Sequence, residues 1–130
     1  RASMLEARDL LAESLNSRSK STKSAKRTEK LRIYFILSKN VTTKRGPKNI
    51  YTRITRPDQL LLTKSADDLF QFEDVKIPYS AMREVVYEGE ELPVAIFWDN
   101  TNEPQLMEGT YTVDIFADGN IIGETSFELK

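Results

Sequence analysis

Neither cysteine nor histidine occurs among the 130 residues. Without cysteine there is no disulfide framework, no thiolate nucleophile and no cysteine-held zinc or iron–sulfur centre. Without histidine the chain lacks the side chain most used as a general base near neutral pH, which is also the commonest metal ligand. Both absences weigh against catalysis, so the chain is expected to be non-enzymatic, with no cofactor and no metal. No apolar run approaches the ~20 residues of a membrane-spanning helix, and the N-terminus has no signal-peptide apolar core. Tryptophan occurs once, and glycine and proline five times each. Several of these mark turns, as in Gly46-Pro47, Pro57-Asp58 and Gly89.

What is present suits one domain. A chain of this length buries roughly two thirds of its unfolded surface without covalent or metal staples. Its net charge of −1 conceals an asymmetry: residues 1–56 carry fifteen Lys/Arg against four Asp/Glu, and residues 57–130 carry four against sixteen. Basic early strands lying beside acidic late ones would pair these charges across strands. Segregation into a basic and an acidic face would instead favour head-to-tail association or an anionic partner.

Period-two patterning dominates from Leu31 onward. In Leu31 to Asn40, Leu31, Ile33, Phe35 and Leu37 share one face while Tyr34 and Ile36 partly fill the other, which predicts a central strand. Residues 50–57 resume as a strand, and Leu60 to Thr63 reads as a short one. Leu69 to Phe72 and Val75 to Tyr79 read as two short strands or one bent one, with Pro78 favouring an edge. Met82 to Tyr87 follows. In Leu92 to Asn100, Val94, Ile96 and Trp98 face one way and Ala95 and Phe97 the other, which predicts a second central strand. The closing stretch Gly109 to Leu129 places Tyr111, Val113, Ile115 and Ala117 on one face, and Ile121, Thr125, Phe127 and Leu129 likewise after the turn. Matching the two faces requires an odd loop, which selects Asp118-Gly119-Asn120 and pairs Ala117 with Ile121, Ile115 with Gly123, Val113 with Thr125 and Tyr111 with Phe127. Eight or nine short strands with turns about ten residues apart predict an all-β, antiparallel β-sandwich.

Ahead of it, residues 1–16 read as a helix, with Met4, Ala7, Leu11 and Leu15 on one stripe, or as a first strand over Leu10 to Leu15. Residues 17–30 carry six Lys/Arg, one Glu and no large apolar side chain, and read as a solvated connector or an exposed helix. The division is therefore 1–30 for the helical or extended segment and connector, and 31–130 for the sandwich.

The long strand at Leu31, the strand-borne Trp98 and the G-x-Y-x-V-x-I pattern of Gly109, Tyr111, Val113 and Ile115 resemble an immunoglobulin-like sandwich, with Tyr111 a loose match to a tyrosine corner. More narrowly, the order KLRIYFILSKN, KNIYTRITRPD, EGTYTVDIFADGNIIG is similar to a group of bacterial envelope proteins in which a membrane anchor and a helical or coiled-coil stretch precede one such sandwich. That resemblance implies a tethered, non-catalytic module facing the periplasm.

Several residue groups invite a chemical reading. Asp99 to Glu103, with Glu108, offers oxygen side chains at successive loop positions as calcium sites do, but also reads as a turn of Asn and Asp residues. Asp67, Asp68, Glu73, Asp74, Glu88, Glu90 and Glu91 contain no pair that the sequence holds at a glycosidase separation. Trp98, Tyr34, Tyr51, Tyr87 and Tyr111 are candidates for an aromatic platform, although Trp98 shares its parity with core residues. Ser21 and Ser80 have no visible base partner. The basic run Arg18 to Arg32, extended by Lys39, Lys44, Arg45, Lys48, Arg53 and Arg56, could meet phosphates, an anionic membrane or solvent alone.

The leading expectation is a binding or structural module of a tethered envelope protein, contacting a protein partner or another copy of itself through strand edges or loops. Its expected contacts are Lys48, Tyr51, Arg53 and Arg56. A nucleic-acid or polyanion binder using the basic surface of residues 18–56 is the alternative, and a carbohydrate-binding module is a third. Membrane association is expected only through a segment upstream of Arg1.

Overall fold

The computed structural model describes residues 4–130. Among these, nine strands run in chain order: β1 Ala7–Leu15, β2 Lys30–Leu37, β3 Gly46–Thr55, β4 Leu69–Phe72, β5 Val75–Pro78, β6 Ala81–Tyr87, β7 Leu92–Asp99, β8 Gly109–Ala117 and β9 Asn120–Leu129. Every pairing is antiparallel. Two sheets, β1-β2-β7 and β6-β3-β8-β9, form an all-β sandwich, and β4-β5 is a separate hairpin. An immunoglobulin constant domain divides four and three because the strand before its fifth joins the first sheet. Here the corresponding strand, β6, joins β3 instead, and the division is three and four.

Parity in the sequence becomes layering. The odd residues of β2, Ile50, Thr52 and Ile54 of β3, Val94, Ile96 and Trp98 of β7, and Tyr111, Val113 and Ile115 of β8 all point into the space between the sheets and are buried. Each large apolar side chain taken out of water there contributes roughly 1.5–3 kcal/mol before the entropic cost of ordering it. The polar ends of the aromatic residues are satisfied within this layer. Trp98 Nε1 donates to Asn100 Oδ1 at 3.0 Å, and the Tyr111 hydroxyl donates to the Met107 carbonyl at 2.6 Å. That last bond, from near the start of β8 to a backbone oxygen just upstream, is the tyrosine-corner arrangement.

Four sequence expectations need correction. β7 is an edge strand, paired among the described residues with β2 alone. The first segment takes its extended alternative: Leu11 to Leu15 pair with Tyr34 to Lys30, and a bulge between Arg8 and Leu11 holds Asp9 at φ 55°. The sandwich therefore begins at β1 rather than at residue 31, while Arg1 to Ser3 lie outside the described residues. Within the strand Ala12, Ser14 and Leu15 are buried and Leu11 is exposed. Leu60 to Thr63 makes only an isolated bridge, Leu61 to Thr55, because the tight turn at Gln59 (φ 73°) directs the chain inward and Leu62 plugs the end of the core.

The closing hairpin holds the fourth correction. Asp118 and Gly119, at φ 52° and 75°, form a two-residue turn of the type I′ hand that suits twisted strands, and Ala117 pairs with Asn120. The odd residue demanded by parity is Ile122, inserted as a bulge where Phe116 pairs with Ile121 and Ile115 with Gly123. Ile122 is 7% exposed and Ile121 47%, the reverse of the alternation expected from an odd loop. Beyond the bulge, Val113–Thr125 and Tyr111–Phe127 pair as expected.

The outer face of the four-stranded sheet carries its own cover. The Phe70 ring of β4 stacks on Tyr51 of β3 at 4.4 Å and 12°, and meets Phe116 of β8 edge-on at 5.0 Å. Phe72 also meets Phe116 edge-on, at 5.1 Å, and Arg53 Nε ties down the end of β5 through the Pro78 carbonyl at 2.9 Å. On the same face Asp114 of β8 lies opposite Glu124 of β9. Partial burial, then the hydrogen bond and like charge of Glu124, push the Asp114 carboxyl up to about 6 against the pull of Arg53.

Two outcomes test this account. Ile122→Ala should cost about 2–4 kcal/mol in chemical denaturation while Ile121→Ala changes stability by less than about 0.5 kcal/mol; equal costs would remove the bulge. Because the folded chain holds the Asp114 proton up to about pH 6 and the unfolded chain releases it near the ordinary carboxylate value, this group's contribution to stability falls as pH rises through that window. Asp114→Asn should therefore raise Tm near neutral pH, and the difference between the variant and parent melting curves should shrink on acidification from about pH 7 to pH 4.

Candidate functional site

The four contact residues named from the sequence all lie on or just beyond β3, and strand geometry separates them. Lys48 shares the inward parity of Ile50 and Ile54, whereas Tyr51 and Arg53 point outward and Arg56 follows the strand's end. The Lys48 ammonium is held by both carboxylate oxygens of Asp118 at 3.1 and 2.9 Å, with only 7% of its side chain accessible. Tyr51 lies under Phe70 and beside Tyr79, its ring centroid 5.1 Å away. Arg53 is engaged by the Pro78 carbonyl. Arg56 forks onto Asp58, holding that carboxyl below its ordinary range. These side chains serve three separate local structures and do not form one contact surface.

The remaining sequence candidates are similarly engaged. In the Asp99 to Glu103 loop, Asp99 Oδ1 accepts from the Thr101 amide at 2.9 Å, and Asn100 bonds the Trp98 indole and the Pro104 carbonyl. Those are the local bonds of an Asx turn. Among the described residues no group of three or more Asp or Glu could hold a metal ion. Asp67 and Asp68 precede β4, Glu73 and Asp74 make the β4-β5 turn, and Glu88, Glu90 and Glu91 lie at the β6-β7 turn, so strand order disperses them. Ser80 Oγ accepts from the Ile54 amide at 2.8 Å, and Ser21 Oγ donates to Glu13 at 2.9 Å.

Trp98 and Tyr111 floor a cleft of about 330 Å³ between the loops that follow β3 and β7. The indole is 2% exposed, and the Lys64 ammonium sits 4.5 Å from its ring centroid. Both aromatic donors are already bonded within the fold. The cleft therefore offers no open aromatic platform.

Among the described residues, two surfaces combine exposure with a concentration of one kind of side chain. The first is the outer face of β1-β2-β7, where Leu11 lies beside Tyr34, Tyr34 beside Ala95, and Ile36 beside Pro93. Leu11 is 51% exposed and Phe97 48%. Their signal was present in the sequence as the second apolar parity of Leu92 to Asn100, read there as the mark of a central strand. The second is the β1-β2 loop. Elsewhere several basic side chains pair across the fold, as in Arg32–Glu13 at 3.1 Å and Lys39–Glu90 at 3.9 Å. In the loop and at the first residue of β2, Arg18, Lys20, Lys23, Lys26, Arg27 and Lys30 are exposed, and no ion pair to them occurs among the described residues.

Solved structures share the architecture. The β-glucosidase DesR from Streptomyces venezuelae, in complex with D-glucose, superposes with a TM-score of 0.57 at 10% identity, over 98% of this chain and 15% of that one. A β-glucosidase from Kluyveromyces marxianus, in complex with glucose, gives 0.54 at 14% identity, over 98% and 14%. The chain thus spans about one seventh of those enzymes' length, and the likeness is one of fold. No curated protein matches the sequence. One family profile does, over residues 8–130, from the second residue of β1 to the last of the chain; the protein belongs to the family described as Domain of unknown function (DUF8428).

Proposed function

We propose that the domain is a non-catalytic protein-binding module of a tethered bacterial envelope protein, and that it receives an amphipathic helix of a partner protein on the outer face of β1-β2-β7. The observation that carries this reading is the contrast between the two outer faces. The aromatic residues on β3 and β8 are covered by the chain's own β4-β5 hairpin, whereas on the other face Leu11 and Phe97 are exposed and Tyr34 and Ile36 half-buried, with the Arg32 guanidinium 4.9 Å from the Tyr34 ring centroid. Apolar side chains grouped around one ion pair, Arg32–Glu13 at 3.1 Å, give this face the mixed apolar and polar character of a docking site.

Dimensions select the occupant. Three strands about 4.8 Å apart, with some seven residues along each, offer a face on the order of 300 Å². A standard protein interface needs roughly 800 Å² on each side, so the face alone is too small to hold a stable dimer. A single helix about 10 Å across matches its width and would complete a helix-on-sheet layer. The missing histidine and cysteine support the non-catalytic part of the reading. Envelope placement and a membrane anchor ahead of the domain are supported by the resemblance of its strand sequences to envelope proteins. The burial of Trp98 and Tyr111 takes support from the carbohydrate reading.

Photocrosslinking in the native host tests this, with p-benzoylphenylalanine at position 97 of the full-length gene product and, as control, at Val75 on the opposite side. Adducts from position 97 alone, mapping to a partner segment with apolar residues three and four apart, are the expected result. Adducts to a second copy of the chain, equal adducts from both positions, or none would overturn the helix-docking reading. Recovery of the full-length product in the soluble fraction, rather than with membranes, would overturn the tethering.

A further inference from the structure

We propose that the loop joining β1 to β2 is a binding site for a linear phosphodiester polyanion, recognised through its backbone charge. This does not rest on the docking face, which lies on a different part of the molecule.

The loop is built as a fixed frame. The Asn16 side-chain oxygen accepts from the Arg18 and Lys20 amides at 2.9 and 3.1 Å, and the Asn16 amide donates to the Lys20 carbonyl at 2.8 Å. Thr28 Oγ1 donates to the Ser24 carbonyl at 2.7 Å. Two backbone bonds fasten the loop to the end of the chain: Ala25 N to the Lys130 carbonyl at 2.9 Å, and Lys130 N to the Lys23 carbonyl at 2.7 Å. Ala25, buried to 1% exposure, is its apolar anchor. Holding the backbone in place before binding lowers the ordering entropy that an anionic ligand would otherwise have to offset.

On this frame Arg18, Lys20, Lys26 and Arg27 line an open groove of about 540 Å³, with Glu29 as the one acid on its lining. Guanidinium forks and ammonium groups are the side chains that take phosphate oxygens, the former in bidentate fashion. The excess of cations over the one acid favours a chain of repeated negative charges over a single anion. Residues 16–30 contain no aromatic side chain on which a base or sugar could stack, so recognition is independent of sequence.

A bilayer fits less well. The loop exposes no large apolar side chain to enter the headgroup region. The neighbouring loops at the same end of the sandwich carry Asp58, Glu103 and Glu108, which a flat anionic surface would also meet. A thin polyanion lying along the groove avoids them.

Fluorescence anisotropy of the full chain with a labelled oligothymidylate of about 20 nucleotides tests the site. Binding should be measurable near 50 mM salt and fall steeply towards 200 mM, with a slope of log K against log salt of about −3 for four phosphate contacts. Inorganic polyphosphate should displace the probe. The double variant Lys26→Glu/Arg27→Glu should lose at least about tenfold in affinity and reduce the slope by about 1.4, with circular dichroism unchanged. Lys76→Glu/Arg83→Glu, an equal charge change elsewhere, should alter affinity less than about twofold, as should Phe97→Asp on the docking face. No binding at low salt, equal weakening by both double variants, or attachment to phosphatidylglycerol vesicles without binding of the oligonucleotide would overturn the proposal.

Discussion

Each strand of the two main sheets must deliver one row of side chains, at period two, into a single interior about 10 Å thick, and the rest of the molecule follows from that requirement. Rows from β2 and β7 meet rows from β3 and β8, and their members are almost wholly removed from water. Wherever local geometry would break the alternation, the chain adjusts outside the row. The insertion at Ile122 is the clearest instance. A two-residue turn alone would leave the β9 row on the wrong side, and one extra residue past the turn returns Gly123, Thr125 and Phe127 to their partners.

The same requirement accounts for the difference between the outer faces. The central strands must be apolar on one side, but β3 and β8 carry large aromatic residues on the other side as well, and a water-exposed cluster of that size would promote association. The β4-β5 hairpin covers this cluster in cis, fixed by ring contacts and by Arg53. Its neighbour Asp114 is a consequence: a carboxyl beside the covered rings, opposite Glu124, holds its proton more tightly than an exposed one. Among the described residues the three-stranded sheet has no comparable cover, so Leu11 and Phe97 of its second apolar parity stay in contact with solvent.

Much of the architecture was legible in the sequence because alternation is a direct image of burial. The odd residues of β2, the inward set of β7 and the pairing of Tyr111 with Phe127 follow from parity alone. What parity does not encode is which strand ends a sheet. An apolar row on both sides of Leu92 to Asp99 reads as two buried faces, and only the pairing order shows that one of them is bare. Nor does composition reveal whether a lysine is free. Lys48 has the sequence context of a surface cation, yet it sits on an inward position neutralised by an aspartate seventy residues away. The basic run was visible as a run. Its division into paired residues and a bare loop depends on contacts across the fold that no local window contains.

β1 starts at the end of the sandwich where Ala7 meets Leu37, and β9 finishes at the opposite end, where Leu129 meets Gly109 and Lys130 bonds to the β1-β2 loop. A pull applied between these two points would slide β1 along β2 and β9 along β8, loading each row of interstrand bonds at once instead of opening it from one end like a zipper. Under such tension the sandwich would act as a stiff spacer that resists extension until whole ladders yield together.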